Sequence, residues 1–179
     1  MTKHSLDKYS ASTALIKVEN LKKTFAGSRG FFSRTRTGDV KAVQDVSFQV
    51  KKGETLGLVG ESGCGKSTIG RCIIKLEEPT SGAVLFDGKR LDTINSTELR
   101  DYRRRVQAVF QDPFSSLNPR MTVEQIVGEP LLVHGLEKDA QKRRLSTAKL
   151  LDLCGLPKRI LDSYPHEMSG GQRQRTGIG

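Results

Sequence analysis

Tryptophan is absent from this chain of 179 residues, and cysteine is scarce: Cys64, Cys72 and Cys154 are an odd number with no C-x-x-C pair. A disulfide framework or a paired-cysteine zinc site is therefore disfavoured, and the usage suits a reducing cytosol. No apolar run approaches the ~20 residues that span a bilayer. The opening MTKHSLDKYS lacks the apolar segment of a signal peptide. Acidic residues are fewer than basic ones, 20 against 30, for a formal net charge of +10. Such a surplus fits nucleic acid, an anionic membrane face, or a solvated surface around a site for a polyanion. The basic residues are spread out, with small clusters at 103–105 and 142–144 and no aromatic-interleaved stripe. No nucleic-acid partner is expected.

What is present reads as soluble and globular, one domain or one domain plus a small appendage. Residues 15–25 read as a strand and its exit. A Gly-, Ser-, Thr- and Arg-rich loop follows at 26–39. It carries Phe31 and Phe32, either a docking spot or a loose packing anchor. Val46, Phe48 and Val50 alternate with polar residues as in a half-buried strand. Residues 55–59 form a short apolar run between glycines, as a buried parallel strand does. A helix is expected from the following loop to about Glu77, stopped by Pro79. A strand over 83–86 ends at Asp87-Gly88, a hairpin dipeptide. Asn95 and Glu98 form a capping box for a helix to about Arg104, and 106–110 read as a second buried strand. Beyond Gln111, prolines 113, 119 and 130 punctuate a loop-rich stretch. Thr122 and Gln125 cap a short helix. Residues 138–154 make an amphipathic helix with Leu145, Ala148, Leu151 and Leu153 on its apolar side.

Gly60-Glu61-Ser62-Gly63-Cys64-Gly65-Lys66-Ser67-Thr68 fits G-x-x-x-x-G-K-[ST] in full. The pattern sits between an expected strand and an expected helix, the context a phosphate-cradling loop requires. Glycines let successive backbone N–H groups turn toward phosphate oxygens, and the helix start adds more donors. Lys66 supplies charge for the β- and γ-phosphates, Ser67 a hydroxyl for Mg²⁺, and Thr68 a hydroxyl for the α-phosphate. Cys64 reads as a small packing residue rather than a nucleophile. The pattern points to ATP with Mg²⁺.

Near the other end stands His166-Glu167-Met168-Ser169-Gly170-Gly171-Gln172-Arg173-Gln174-Arg175. Ser169 is a good N-cap, and Gly170 and Gly171 leave their N–H groups open to a phosphate. By itself the stretch could equally be an ordinary Ser-capped helix after a Gly-rich turn. Paired with the upstream loop, it resembles the signature sequence of ABC ATPases, with Met168 in place of the usual Leu. Val109-Phe110-Gln111-Asp112-Pro113 resembles their Q-loop. The longer strings QDPFSSLNPR and YPHE resemble the oligopeptide, dipeptide and nickel importer group.

That resemblance implies an α/β fold: a P-loop NTPase domain of ABC type, with an antiparallel β subdomain, a RecA-like parallel core and an α-helical subdomain. It implies a tail over 1–13 and a partial ATP-binding domain over 14–179. The inserted loop lies at 26–39, and the helical subdomain runs from about 112 to the signature helix. Catalytic roles fall to Lys66 and Gln111, and metal contacts to Ser67 and Gln111. Nucleotide contacts fall to Gly60, Ser62, Gly63, Cys64, Gly65, Lys66, Ser67 and Thr68, and to Ser169, Gly170, Gly171 and Gln172 acting across a head-to-tail pair. Phe25 matches the aromatic that stacks on adenine, with a core phenylalanine as the alternative, and Val40 touches base or ribose. The implied partners are two membrane permeases, a sister ATP-binding subunit or second copy, and indirectly an extracytoplasmic substrate-binding protein. The implied place is the cytoplasmic face of the membrane.

In the family a Walker B strand, a catalytic Glu, a D-loop and a switch His follow the signature. The chain ends before them at Gly177-Ile178-Gly179, so a C-terminally incomplete fold is expected. Hydrolysis by the chain alone is then expected to be weak or absent. His4, His134 and His166 precede the signature and read as surface or loop residues. Two alternatives remain open: a soluble ABC ATPase acting on nucleic acid, or a truncated non-hydrolysing nucleotide-binding module.

Overall fold

The computed structural model describes residues 14–27, 38–110 and 116–178. Two compact units divide the chain, one over residues 1–106 and one over 107–179.

In the first unit, strands β1 (Ile16–Phe25), β2 (Val40–Val50), β3 (Ser81–Phe86) and β4 (Lys89–Arg90) form one sheet in the order β2-β1-β3-β4. Every pair is antiparallel. Strict alternation would place Val18 and Leu21 on opposite faces. Both are buried, because the ladder shifts register between them. Asn20 sits in that irregularity at φ 46° and is tied to β2: its N–H donates to Ser47 Oγ at 2.8 Å and its Nδ2 to Asp45 Oδ1 at 3.1 Å. The extra residue turns Leu21 back to the core. The Asp87-Gly88 dipeptide joins β3 to β4 with φ of 53° and 77°, the double positive φ of a tight hairpin turn.

Helices α1 (Lys66–Ile73) and α2 (Ser96–Arg105) complete the unit. Ile69 and Cys72 from α1 and Tyr102 from α2 join Val18, Leu21, Val43, Val84, Phe86 and Leu91 in one apolar cluster. The Tyr102 ring meets Phe86 edge-on at 5.1 Å, and its hydroxyl donates to the Ile73 carbonyl. The expected capping box opens α2: Thr97 and Glu98 N–H each donate to Asn95 Oδ1 at 3.0 Å, and Asn95 N–H donates to Glu98 Oε2 at 2.9 Å.

Two expectations fail here. Helix α1 stops at Ile73 rather than near Glu77. Lys75 turns left-handed at φ 59°, and Leu76 N–H reaches back to the Arg71 carbonyl at 2.9 Å, so a left-handed C-terminal turn ends the helix before Pro79 can act. Residues 55–59 form no strand. Leu56 and Leu58 are exposed and Val59 is 95% exposed. A parallel strand exists only through its neighbours, and this run finds none among the described residues.

The second unit holds α3 (Val123–Val133), α4 (Ala140–Leu153) and α5 (Gly170–Thr176). Thr122 and Gln125 cap α3 reciprocally, at 3.3 and 2.9 Å, and Asp139 Oδ1 accepts from Lys142 N–H at 2.9 Å to start α4. Val123, Val127, Ala148, Leu151, Leu156, Ile160, Leu161 and Met168 form its core. Arg144 of α4 grips Asp162 with two nitrogens, at 2.8 and 2.7 Å, and also bonds Glu124. Backbone bonds from Val123 N–H to Ser163 O and from Glu124 N–H to Leu161 O, both 2.9 Å, close the same corner.

Three details differ from the sequence reading. Pro130 lies inside α3 rather than in a loop; the helix continues past it, with His134 N–H donating to the Pro130 carbonyl at 3.0 Å. Leu145 and Leu153 are 64% and 84% exposed, because α4 buries the narrower stripe of Thr147, Ala148 and Leu151. Residues 106–110 form no strand, and Val109 and Phe110 are exposed. Among the described residues no helix is long and apolar enough to cross a membrane.

Candidate functional site

The glycine-rich loop is shaped by backbone conformations that side chains resist. Gly63 and Gly65 have φ of 81° and 95°. At Gly65 the constraint is double: a Cβ there would lie 2.2 Å from the Ala42 carbonyl oxygen and 3.4 Å from Val43 Cγ2. The loop thus presses its last glycine against β2, and α1 begins immediately afterward with Gly65 as a left-handed N-cap. Among the described residues no side chain caps α1. The first bond to the cap is from Ile69 N–H to Gly65 O at 2.9 Å, so Lys66, Ser67 and Thr68 N–H groups precede the intrahelical ladder.

The Lys66 ammonium curls over the loop. It donates to Gly60 O at 2.9 Å and Glu61 O at 2.6 Å, and lies 3.4 Å from Cys64 Sγ. The ammonium is thereby held at the loop mouth by weak neutral acceptors rather than by a carboxylate. Ser62 and Ser67 are exposed. The arrangement offers a curled loop, an uncapped helix start, a cation and a hydroxyl, which is the donor set for a polyphosphate.

Phe25 and Val40 are opposite one another in the β1–β2 ladder. Both are exposed, and Val40 lies two residues before Ala42, the residue pressed by Gly65. Sequence reasoning overlooked Lys23. Its ammonium lies 4.8 Å from the Phe25 ring centroid, and it is ion-paired to Glu77 at 2.9 Å. The spacing of two along a strand was the available signal.

In the second unit, Ser169 caps α5. Gln172 N–H donates to Ser169 Oγ at 3.3 Å, and Ser169 N–H donates to Gln172 Oε1 at 2.9 Å. Gly170 and Gly171 are exposed, and a Cβ on either would meet none of the described residues within 4 Å. Arg173 Nη1 donates to Pro165 O at 2.9 Å and Arg175 Nη1 to Gly155 O at 2.9 Å, anchoring the helix to its approach. His166 stacks on Tyr164 at 5.6 Å. Gln111, with Phe31, Phe32 and His4, lies outside the described residues.

Residues 43–179 match the sequence pattern of the family described as ABC transporter. The oligopeptide transport ATP-binding protein OppF of Bacillus subtilis is 50% identical over 165 residues, which is 92% of this chain and 52% of that protein. The probable peptide ABC transporter ATP-binding protein y4tS of Sinorhizobium fredii is 50% identical over 167 residues, 93% of this chain and 47% of that protein. The chain thus spans about half the length of the curated relatives it matches. Among solved structures, the dimeric post-hydrolysis state of the ATP-binding cassette MJ0796, bound to ADP and Pi, superimposes with a TM-score of 0.73 at 29% identity. That match covers 91% of this chain and 67% of the cassette. With its glycine-rich loop, its Ser-capped signature helix and its cassette fold, the chain belongs to the ABC transporter family.

Proposed function

We propose that the loop of residues 60–68 binds Mg²⁺-ATP, and that the protein powers an ABC importer for peptides or similar small solutes. The observation that carries the nucleotide reading is the Lys66 ammonium resting on its own loop carbonyls beside an uncapped helix start. Phosphate oxygens are stronger acceptors than those carbonyls. Lys66 would hold the β- and γ-phosphates, and N–H groups of residues 63–68 would line the rest. Among the described residues no group of three or more His, Cys, Asp or Glu side chains could hold a metal. The exposed Ser67 hydroxyl, first in the helix after Lys66, would be the protein's ligand here, with Gln111 as the expected second. Bound Mg²⁺ supplies charge neutralisation for phosphoryl transfer. The chain's own residues orient the phosphates and fix the base, Phe25 by stacking and Val40 at its edge.

The signature reading rests on Gly170 and Gly171. Nothing among the described residues requires glycine there, since added Cβ atoms would meet none of their atoms within 4 Å. Glycine has a purpose if a phosphate approaches from outside, as in a head-to-tail pair with a second copy or a sister subunit. The dimeric cassette supports that reading, and the peptide-transport relatives support the solute class. On the same ground the partners are two permeases and, indirectly, a binding protein, at the cytoplasmic face of the membrane. The expected tail over 1–13 and most of the expected inserted loop over 26–39 lie outside the described residues; a helical subdomain from about 112 completes the proposed layout.

The test is ATP-driven uptake of a radiolabelled peptide by the assembled transporter in proteoliposomes. Wild-type protein should support uptake and Lys66→Ala should not. Equal uptake with both would refute the coupling.

A further inference from the structure

Lys23 has the setting of a built position rather than of a loose surface lysine. Its side chain is only 13% exposed, and its ammonium bonds Glu77 at 2.9 Å and the Glu78 carbonyl at 2.8 Å. Two more bonds stitch the same stretch of β1 to the turn after α1: Thr24 N–H to Thr80 Oγ1 at 3.0 Å and Thr80 N–H to Lys22 O at 2.8 Å. The cation so fixed lies 4.8 Å from the Phe25 ring centroid, inside the range of a cation–π contact. The ring itself is 37% exposed at the strand end.

We infer that Lys23 is a positioning residue for purine recognition: its anchored ammonium fixes the Phe25 ring and makes it a better stacking surface for adenine. This rests on the reading of Phe25 as the base-stacking ring. A cation on one face draws π density toward itself, so the remaining face is less electron-rich and repels an incoming π system less. Glu77 keeps the ammonium in place, and the turn over 77–80 ties ring position to the end of the phosphate-binding helix. The lysine touches no part of the nucleotide; it acts through Phe25. Its contribution is therefore confined to the base and absent for a ligand that has only phosphates.

The experiment measures Mg²⁺-ATP and Mg²⁺-tripolyphosphate affinity for full-length wild type, Lys23→Gln, Lys23→Arg, Phe25→Leu and the double variant Lys23→Gln/Phe25→Leu. Lys23→Gln should weaken ATP about two- to five-fold and leave tripolyphosphate unchanged. Lys23→Arg should restore ATP affinity, and Lys23→Gln should cost nothing further once Phe25 is Leu. Retained tripolyphosphate binding shows that the variants are folded. The inference is overturned if Lys23→Gln leaves ATP affinity intact, if it weakens both ligands alike, or if its effect persists without Phe25. If Phe25→Leu binds ATP as wild type does, the base-stacking reading falls first and the inference falls with it.

Discussion

Gly65 and Ala42 approach so closely that a Cβ on the glycine would stand 2.2 Å from the Ala42 carbonyl oxygen. That contact seats the glycine-rich loop on β2, at a φ of 95° that L side chains avoid. Gly65→Ala is expected to cost at least about 1–3 kcal/mol of stability and to weaken ATP binding with it. Thermal denaturation beside an ATP titration checks both; an unperturbed Tm would deny the contact.

Gly171 behaves oppositely. A methyl there meets no atom of the described residues within 4 Å, and alanine is the better helix former by about 0.5–1 kcal/mol. Gly171→Ala should therefore fold at least as well as wild type. Alanine keeps the backbone N–H, but if a phosphate reaches that N–H across the dimer the added methyl obstructs its approach, and ATP turnover of the assembled transporter should fall about tenfold or more, the cost of a weakened hydrogen bond to a charged group. Steady-state turnover and Tm, measured on the same preparation, separate the two effects.

Tyr102 links α2 to the last residue of α1 and is 4% exposed. Burial pushes its phenol up to about 12. The folded state thus favours the protonated form. Stability from this group is fully present below the ordinary tyrosine range near 10 and is lost as pH rises through about 12, on the order of 2–3 kcal/mol. Spectrophotometric titration at alkaline pH should show one of the three tyrosines ionising late or only on unfolding. Tyr102→Phe should remove that phase.

Arg144 draws the Asp162 carboxyl below its usual range, chiefly through their hydrogen bonds. The depressed carboxyl means that the pair stabilises the fold above the ordinary aspartate range and loses this effect as pH falls through the lowered value. Arg144→Met should lower the Tm at neutral pH, with the gap closing below about pH 4. Denaturation followed from pH 7 to pH 3 would show convergence; a constant gap would assign the arginine a packing role instead.

The glycine-rich loop was legible because its residue types are dictated locally, by positive φ and by the helix that follows. The capping boxes at Asn95 and Thr122 were legible for the same reason. What escaped the sequence depends on distant partners. The runs over 55–59 and 106–110 have strand composition, yet strands exist only through neighbours, and those runs lack them among the described residues. The bulge at Asn20 is set by Asp45 and Ser47 on the next strand. Lys23 looked like one more basic residue until Glu77 and Phe25 were placed around it.

The central claim is that residues 60–68 hold Mg²⁺-ATP through Lys66. Titration calorimetry of full-length wild type and Lys66→Ala with Mg²⁺-ATP tests it most directly, with far-ultraviolet circular dichroism confirming equal folding. Saturable binding by wild type and its loss in a folded Lys66→Ala is the predicted result. Equal affinity in both proteins would contradict the account.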